Sequence, residues 1–166
     1  MPELTPSERL QPCLLDRLTD DEPGSAVEGR DRRVMSMRQY RRAVLRDLVW
    51  LLNTPCKSRT GEFADFPEVD ASVLNFGMPD LSGRTSNSIP VEALERMVLT
   101  TIQRFEPRIA SAGLSVRVVT EETHGTAISI EIEGELWAYP LPERLFLKTE
   151  VDLETGECRV REGLDG

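Results

Sequence analysis

The chain has 166 residues, 39% of them apolar, and carries 29 acidic against 20 basic side chains for a formal charge of −9. That length suits one domain with its own core. The acidic excess argues against wrapping nucleic acid, which needs clustered Lys and Arg, and against binding an anionic membrane surface. Cys13, Cys56 and Cys158 are odd in number and widely spaced, with no CxxC pair, so a disulfide framework is not expected and a reducing compartment is the simplest reading. His124 is the single histidine, and no metal site or cofactor is expected. No apolar run approaches the ~20 residues that span a bilayer. The opening Met1-Pro2-Glu3-Leu4 lacks the basic-then-apolar pattern of a signal peptide. A soluble cytoplasmic protein is expected.

Residues 1–9 read as a loose tail. A short amphipathic helix is expected next, with Leu10, Leu14, Leu15 and Leu18 on one side and a stop at Asp20-Asp21-Glu22-Pro23-Gly24. Residues 20–34 are charged and Gly-rich and read as a linker, making 1–34 a flexible arm ahead of a domain over 35–162 and a tail at 163–166. The leucines suit either a piece of the core or an arm that docks on another subunit through Leu14 and Leu18.

Ser36-Met37-Arg38-Gln39 fits a capping box that opens a second helix. Tyr40, Val44, Leu48, Leu51 and Leu52 form its apolar stripe, with Trp50 at the edge, and Asn53-Thr54-Pro55 closes it. Arg38, Arg41, Arg42 and Arg46 lie on the other face and read as solvated. Residues 57–89 form a long connection, a length often functional in a compact domain. Leu74, Phe76 and Leu81 are expected to be partly buried and to pin it down.

From Val91 the helical period returns in Leu94, Val98, Ile102 and Phe105. Pro107 ends it, because it has no N–H to donate and pushes Glu106 out of the α region. Glu106 and Arg108 are therefore expected at a fixed bend, which suits either docking a partner or, as residue types alone favour, a helix end whose Glu and Arg make local hydrogen bonds. Beyond the bend the pattern alternates: Leu114, Val116 and Val118; Ile128, Ile130 and Ile132, after a hairpin turn at His124-Gly125; Leu145, Leu147, Thr149 and Val151; and Cys158 with Val160. Gly134 is expected to introduce a bulge before Leu136, Trp137 and Tyr139. The fold class is α+β, with N-terminal helices packed on one face of an antiparallel sheet.

Leu48-Val49-Trp50-Leu51-Leu52-Asn53-Thr54, Ser72 through Leu81, Phe105-Glu106-Pro107-Arg108 and Ile132-Glu133-Gly134-Glu135-Leu136-Trp137 resemble the TssE family, baseplate wedge subunits of type VI secretion systems. That family is similar to the lysozyme-like wedge proteins of contractile phage tails. The resemblance covers roughly residues 10–162. It implies a non-enzymatic structural role at a membrane-docked baseplate and a domain similar to the handshake domain of the contractile sheath. It also implies partners: the wedge subunits TssF, TssG and TssK, and the sheath proteins TssB and TssC. The family's Glu-Pro-Arg contact with the wedge core bundle carries onto Glu106, Pro107 and Arg108, and the loop motif onto Leu74, Asn75, Phe76 and Gly77. Sheath growth by strand addition would use an open sheet edge, for which the hairpin over about 145–161 is the candidate, the alternative being an ordinary edge strand blunted by Lys148, Glu150 and Arg159. Arg108→Ala is expected to leave the isolated fold intact and to weaken wedge assembly.

Two rivals stand beside this reading. A peptidoglycan-cleaving, lysozyme-like hydrolase needs two carboxyl groups ~5–9.5 Å apart, one with a raised pKa. Glu131, Glu133 and Glu135 lie opposite the isoleucines on an alternating strand and read as its solvated side, and Glu121-Glu122 sit by a turn. An unrelated acidic adaptor domain fits the composition equally well.

Overall fold

The computed structural model describes residues 10–19, 23–24, 35–57, 63, 65–83, 89–124, 127–138 and 141–163. Residues 1–9, most of the 20–34 linker, the turn at Gly125, Tyr139 and the last three residues of the tail lie outside this set, as do the side chains of Glu121 and Glu122. Helices α1 (Leu14–Leu18), α2 (Met37–Asn53), α3 (Pro67–Asp70) and α4 (Val91–Phe105) precede strands β1 (Ser115–His124), β2 (Ala127–Leu136), β3 (Glu143–Asp152) and β4 (Cys158–Glu162). The strands form one antiparallel sheet in the order β1-β2-β3-β4. This is the α+β arrangement expected from the change of period.

Helix α2 opens on the capping box, with the Ser36 hydroxyl accepting from the Gln39 N–H and the Gln39 side chain accepting from the Ser36 N–H. Its stripe of Tyr40, Val44, Leu48, Leu51 and Leu52 is buried, as are Leu94, Val98 and Ile102 of α4. Both stripes belong to one core with Ile128, Ile130 and Ile132 of β2 and Leu145, Leu147 and Val151 of β3. Each fully buried Leu or Ile contributes about 1.5–3 kcal/mol by leaving water, so this shared core is what selects the fold. The opposite sheet face carries Glu131, Glu133 and Glu135, with Lys148 Nζ 3.5 Å from Glu131.

The two helices also reach the sheet edges. The Asn53 side chain donates to the Cys158 carbonyl (2.8 Å) and accepts from the Cys158 N–H (2.9 Å), occupying the outward backbone groups of β4 at that residue. At the other edge, Glu95 of α4 accepts from the Val118 N–H of β1 (2.9 Å). Edge backbone left bare invites uncontrolled pairing, and each helix closes part of it.

Several expectations change. Leu10 is buried outside any helix, its backbone paired with Met35, while α1 starts only at Leu14. Gly134 makes no bulge: β2 pairs with β3 without a break, and the irregularity lies between β1 and β2 at Val119–His124. Gly134 instead faces the helices, where a Cβ would press on Ile109 (3.1 Å) and Leu114 (3.2 Å). Leu81 is buried and Phe76 half-buried as expected, but Leu74 is exposed. Its anchoring role falls to Asn75, whose polar side chain finds partners inside the loop. Arg41 and Arg46 are not simply solvated. Arg41 bridges to Glu143 (2.5 Å) and Glu162 (2.7 Å), and Arg46 to Asp16 (2.8 Å) and Asp47 (2.7 Å).

Candidate functional site

The bend after α4 is built by its proline. The last helical bond runs from the Glu106 N–H to Ile102 O (2.9 Å), Glu106 leaves the helical region (φ −121°, ψ 77°), and Ile109 N–H returns to Glu106 O (3.2 Å). Pro107 is left on the outside, and the next residues cross to β2: Ala110 N–H donates to Glu135 O, and Trp137 N–H to Arg108 O (2.7 Å).

This turn folds Glu106 inward, with 3% of its surface exposed. Its carboxylate is filled by Arg108: Nε donates to Oε1 at 2.7 Å, the Arg108 backbone N–H donates to the same oxygen at 3.2 Å, and Nη2 pairs with Oε2. Nη2 also donates to Asp47 Oδ2 of α2 at 2.6 Å. Burial alone would pull the guanidinium pKa down. The hydrogen bonds and charge of Glu106, then those of Asp47, outweigh this and hold it above the ordinary arginine value. Arg108 is thus a fixed cation in a planar two-sided clamp, its side chain still partly open to solvent.

The clamp continues along α2. Asp47 is shared with Arg46, Arg46 reaches Asp16 of α1, and the Arg46 guanidinium lies over the Trp50 ring at 5.1 Å. Desolvation would raise the Asp16 pKa, but its hydrogen bonds to Cys13 and Arg46 and the Arg46 charge bring it below the usual carboxylate value. Tyr40, one side of the same helix, donates to Trp137 O (3.1 Å). Burial pushes its hydroxyl pKa up, with Arg108 opposing and Glu106 adding to the shift. The Trp137 side chain stands 70% exposed beside this corner. Leu14 and Leu18 of α1 are 70% and 73% exposed, so neither contributes to the core.

A second surface feature lies at the other side of α4. Ser72 caps a single 3-10 turn, Val73–Asn75, by accepting from the Leu74 N–H. Asn75 is buried and donates to the carbonyl and carboxylate of Asp70, which Arg104 of α4 holds at 3.0 Å. The Phe76 ring meets Phe105 edge-on at 5.4 Å. Gly77, at φ +122°, lies so close to α2 that a Cβ would sit 2.1 Å from Thr54 O. These inward contacts hold up a small knob on which Val73 and Leu74 are 82% and 70% exposed.

The residues singled out in the sequence therefore divide. Arg108, Pro107, Leu74, Leu14 and Leu18 offer surface, whereas Glu106, Asn75 and Gly77 face inward and Phe76 braces α4. Asp47, Trp137 and Val73 are not among the contact residues expected from the sequence. Asp47 had one local signal, a charge flanking the Tyr40–Val44–Leu48 stripe. The open cleft between the loop and α4 is lined by Asp70 and Asp80 among others, but Asp70 is taken by Arg104 and Asn75, and exposed Asp80 accepts from its own Ser82 N–H. Among the described residues, no cluster of three or more His, Cys, Asp and Glu is placed to hold a metal ion. No described helix is long and apolar enough to cross a membrane.

Comparison with curated proteins gives no match. The family model described as baseplate wedge protein gp25 matches residues 38–141, a span that takes in α2, the knob, α4, the Glu106–Arg108 bend and the first two strands. By that match the chain belongs to the baseplate wedge protein gp25 family.

Proposed function

We propose that this wedge protein is the TssE subunit of a type VI secretion baseplate, docked on the core bundle of TssF and TssG, with TssK in the same assembly, and that it seeds the sheath of TssB and TssC by strand addition. Its place is then the cytoplasmic side of a membrane-docked baseplate, and its role is structural. One observation carries the docking part: Arg108 is fixed by a buried carboxylate from behind and by Asp47 from the side, with Pro107 exposed before it and the exposed Trp137 bonded through its backbone to the Arg108 carbonyl. A cation held rigidly loses little freedom when a partner takes it up, and arginine and tryptophan are the residue types enriched in interface hot spots. Glu106 serves as the support of this contact rather than as the contact itself. The exposed Leu14 and Leu18, and the Val73–Leu74 knob, supply further apolar surface for neighbouring subunits.

Co-purification with TssF and TssG tests this reading. Arg108→Lys keeps the charge but cannot reach Glu106 and Asp47 in two directions, and recovery of the complex is expected to fall several-fold. Recovery equal to wild type, with the variant folded, would count against docking through this corner.

A further inference from the structure

The β4 edge carries a charge pattern that specifies what adds to it. The flanking bonds Asp152 N–H to Glu157 O and Gly163 N–H to Phe146 O frame the β3–β4 ladder. With the pairs Glu150–Arg159 and Lys148–Arg161 between them, the bonded positions of β4 are Arg159 and Arg161. Cys158, Val160 and Glu162 point their N–H and C=O groups away from β3. Asn53 closes those of Cys158, which leaves Val160 and Glu162 as the open outward backbone.

On the solvent face of the same strand, Arg159 is satisfied by Glu157 at 2.9 Å and stands opposite Glu150. Arg161 is not. It stands directly opposite Lys148, whose ammonium pairs with Glu131 on the other side (3.5 Å), and it makes no ion pair among the described residues. In a chain of net charge −9 this is an isolated cationic spot on an edge, where a local carboxylate would have been the neutral solution.

We infer that the extended segment received by β4 carries a carboxylate in register with Arg161. The inference rests on the strand-addition reading above and assigns it an edge, a stop and a charge. The stop is the Asn53–Cys158 closure, which confines pairing to the stretch from Val160 onward. The charge follows from geometry: in an antiparallel addition the residue facing Arg161 occupies the closely spaced, non-hydrogen-bonded kind of pair, where side chains approach most.

The test titrates the purified full-length protein with the sheath-subunit pair of the same bacterium at low and high salt. Val160→Pro removes an outward N–H without touching the β3–β4 bonds, and Arg161→Glu reverses the charge. Val160→Pro is expected to abolish binding. Arg161→Glu is expected to weaken it at least tenfold at low salt, less at high salt, with recovery when the facing partner carboxylate is changed to Lys. Loss with Val160→Pro but unchanged or tighter binding with Arg161→Glu overturns the charge assignment and leaves strand addition standing. Wild-type binding by folded Val160→Pro, or no binding by the wild type, overturns both. Should Val160→Pro unfold, Glu162→Pro removes the next outward N–H and is read the same way.

Discussion

Arg108 Nη2 meets Asp47 Oδ2 at 2.6 Å across 61 positions of sequence, so the bend that ends α4 is fastened to the middle of α2. The same guanidinium neutralises Glu106, whose carboxylate is buried behind it. The fold and the proposed docking contact therefore depend on one side chain. Arg108→Ala does more than remove a contact surface, because it strands a buried carboxylate. Breaking a buried ion pair from one side costs about 3–5 kcal/mol, and the partial exposure of Arg108 places this case near the lower end. Urea unfolding should show a stability loss of about 3 kcal/mol for Arg108→Ala, and a smaller loss for the double change Glu106→Leu/Arg108→Leu, which leaves no orphan charge. This replaces the expectation of an untouched isolated fold. A midpoint for Arg108→Ala equal to wild type would show that water satisfies Glu106.

Gly77 gives a sharper steric test. Its φ of +122° is one that side-chain-bearing residues rarely adopt, and an added Cβ would lie 2.1 Å from the Thr54 carbonyl oxygen. Two hydrogen bonds, Cys56 N–H to Met78 O and Met78 N–H to Thr54 O, both 2.9 Å, bring the strands of backbone together there. Gly77→Ala must break that seam or move α2. The expected loss is about 2–4 kcal/mol, with the knob at Val73–Leu74 displaced. Thermal unfolding checks the first, and faster amide exchange at Leu74 and Asn75 than in the wild type checks the second.

The periodic part of this structure was legible in the sequence and the inserted polar part was not. Stripes such as Tyr40–Val44–Leu48 and the alternation Ile128–Ile130–Ile132 repeat a local rule, and each repeat adds to the same signal. Pro107 acts on its own neighbours, so the bend was legible too. The partner of Arg108 is not, because Asp47 belongs to a helix far upstream and its place beside the apolar stripe names no partner. Leu74 reads as an anchor because it is apolar, yet Ser72, Asn75 and Asp70 hold the loop by hydrogen bonds and leave the Leu74 side chain exposed. Gly134 reads as a bulge because the contact that requires it, with Ile109 and Leu114, joins segments that sequence alone cannot bring together.

Asn53 tests how the β4 edge is kept short. It is the last residue of α2 and satisfies both outward groups of Cys158 while also donating to Val49 O (2.8 Å). Asn53→Leu removes these bonds and leaves the Cys158 backbone partly buried without partners, at a cost of about 1–3 kcal/mol. The edge also lengthens by one open residue. Amide exchange at Cys158 is expected to accelerate at least tenfold, and concentrated samples to associate more than wild type in sedimentation. Unchanged exchange at Cys158 would mean that Asn53 is not what protects it.

Cys158 adds an alkaline limb to stability. Burial first, and the nearby Glu157 charge second, push its thiol pKa up to about 11 from an ordinary value of 9.0. The folded chain thus holds a proton that the unfolded chain releases between those values. Over that window the unfolded state binds fewer protons, so the slope of unfolding free energy with pH is negative. The contribution is fully present below pH 9 and lost as pH rises through about 11, a change of about 2–3 kcal/mol for two pKa units. Other groups titrate in the same range, so the comparison is with Cys158→Ala, whose stability is lower at pH 8 because a buried side chain is gone but falls less steeply above pH 9. Urea unfolding of both proteins at pH 8, 9, 10 and 11 measures the difference in slope. The same burial predicts that thiol reagents at pH 8 leave Cys158 unmodified in the folded protein and reach it only on unfolding. Parallel stability curves, together with rapid native labelling of Cys158, would show that the thiol is not sealed beneath Asn53 and α2.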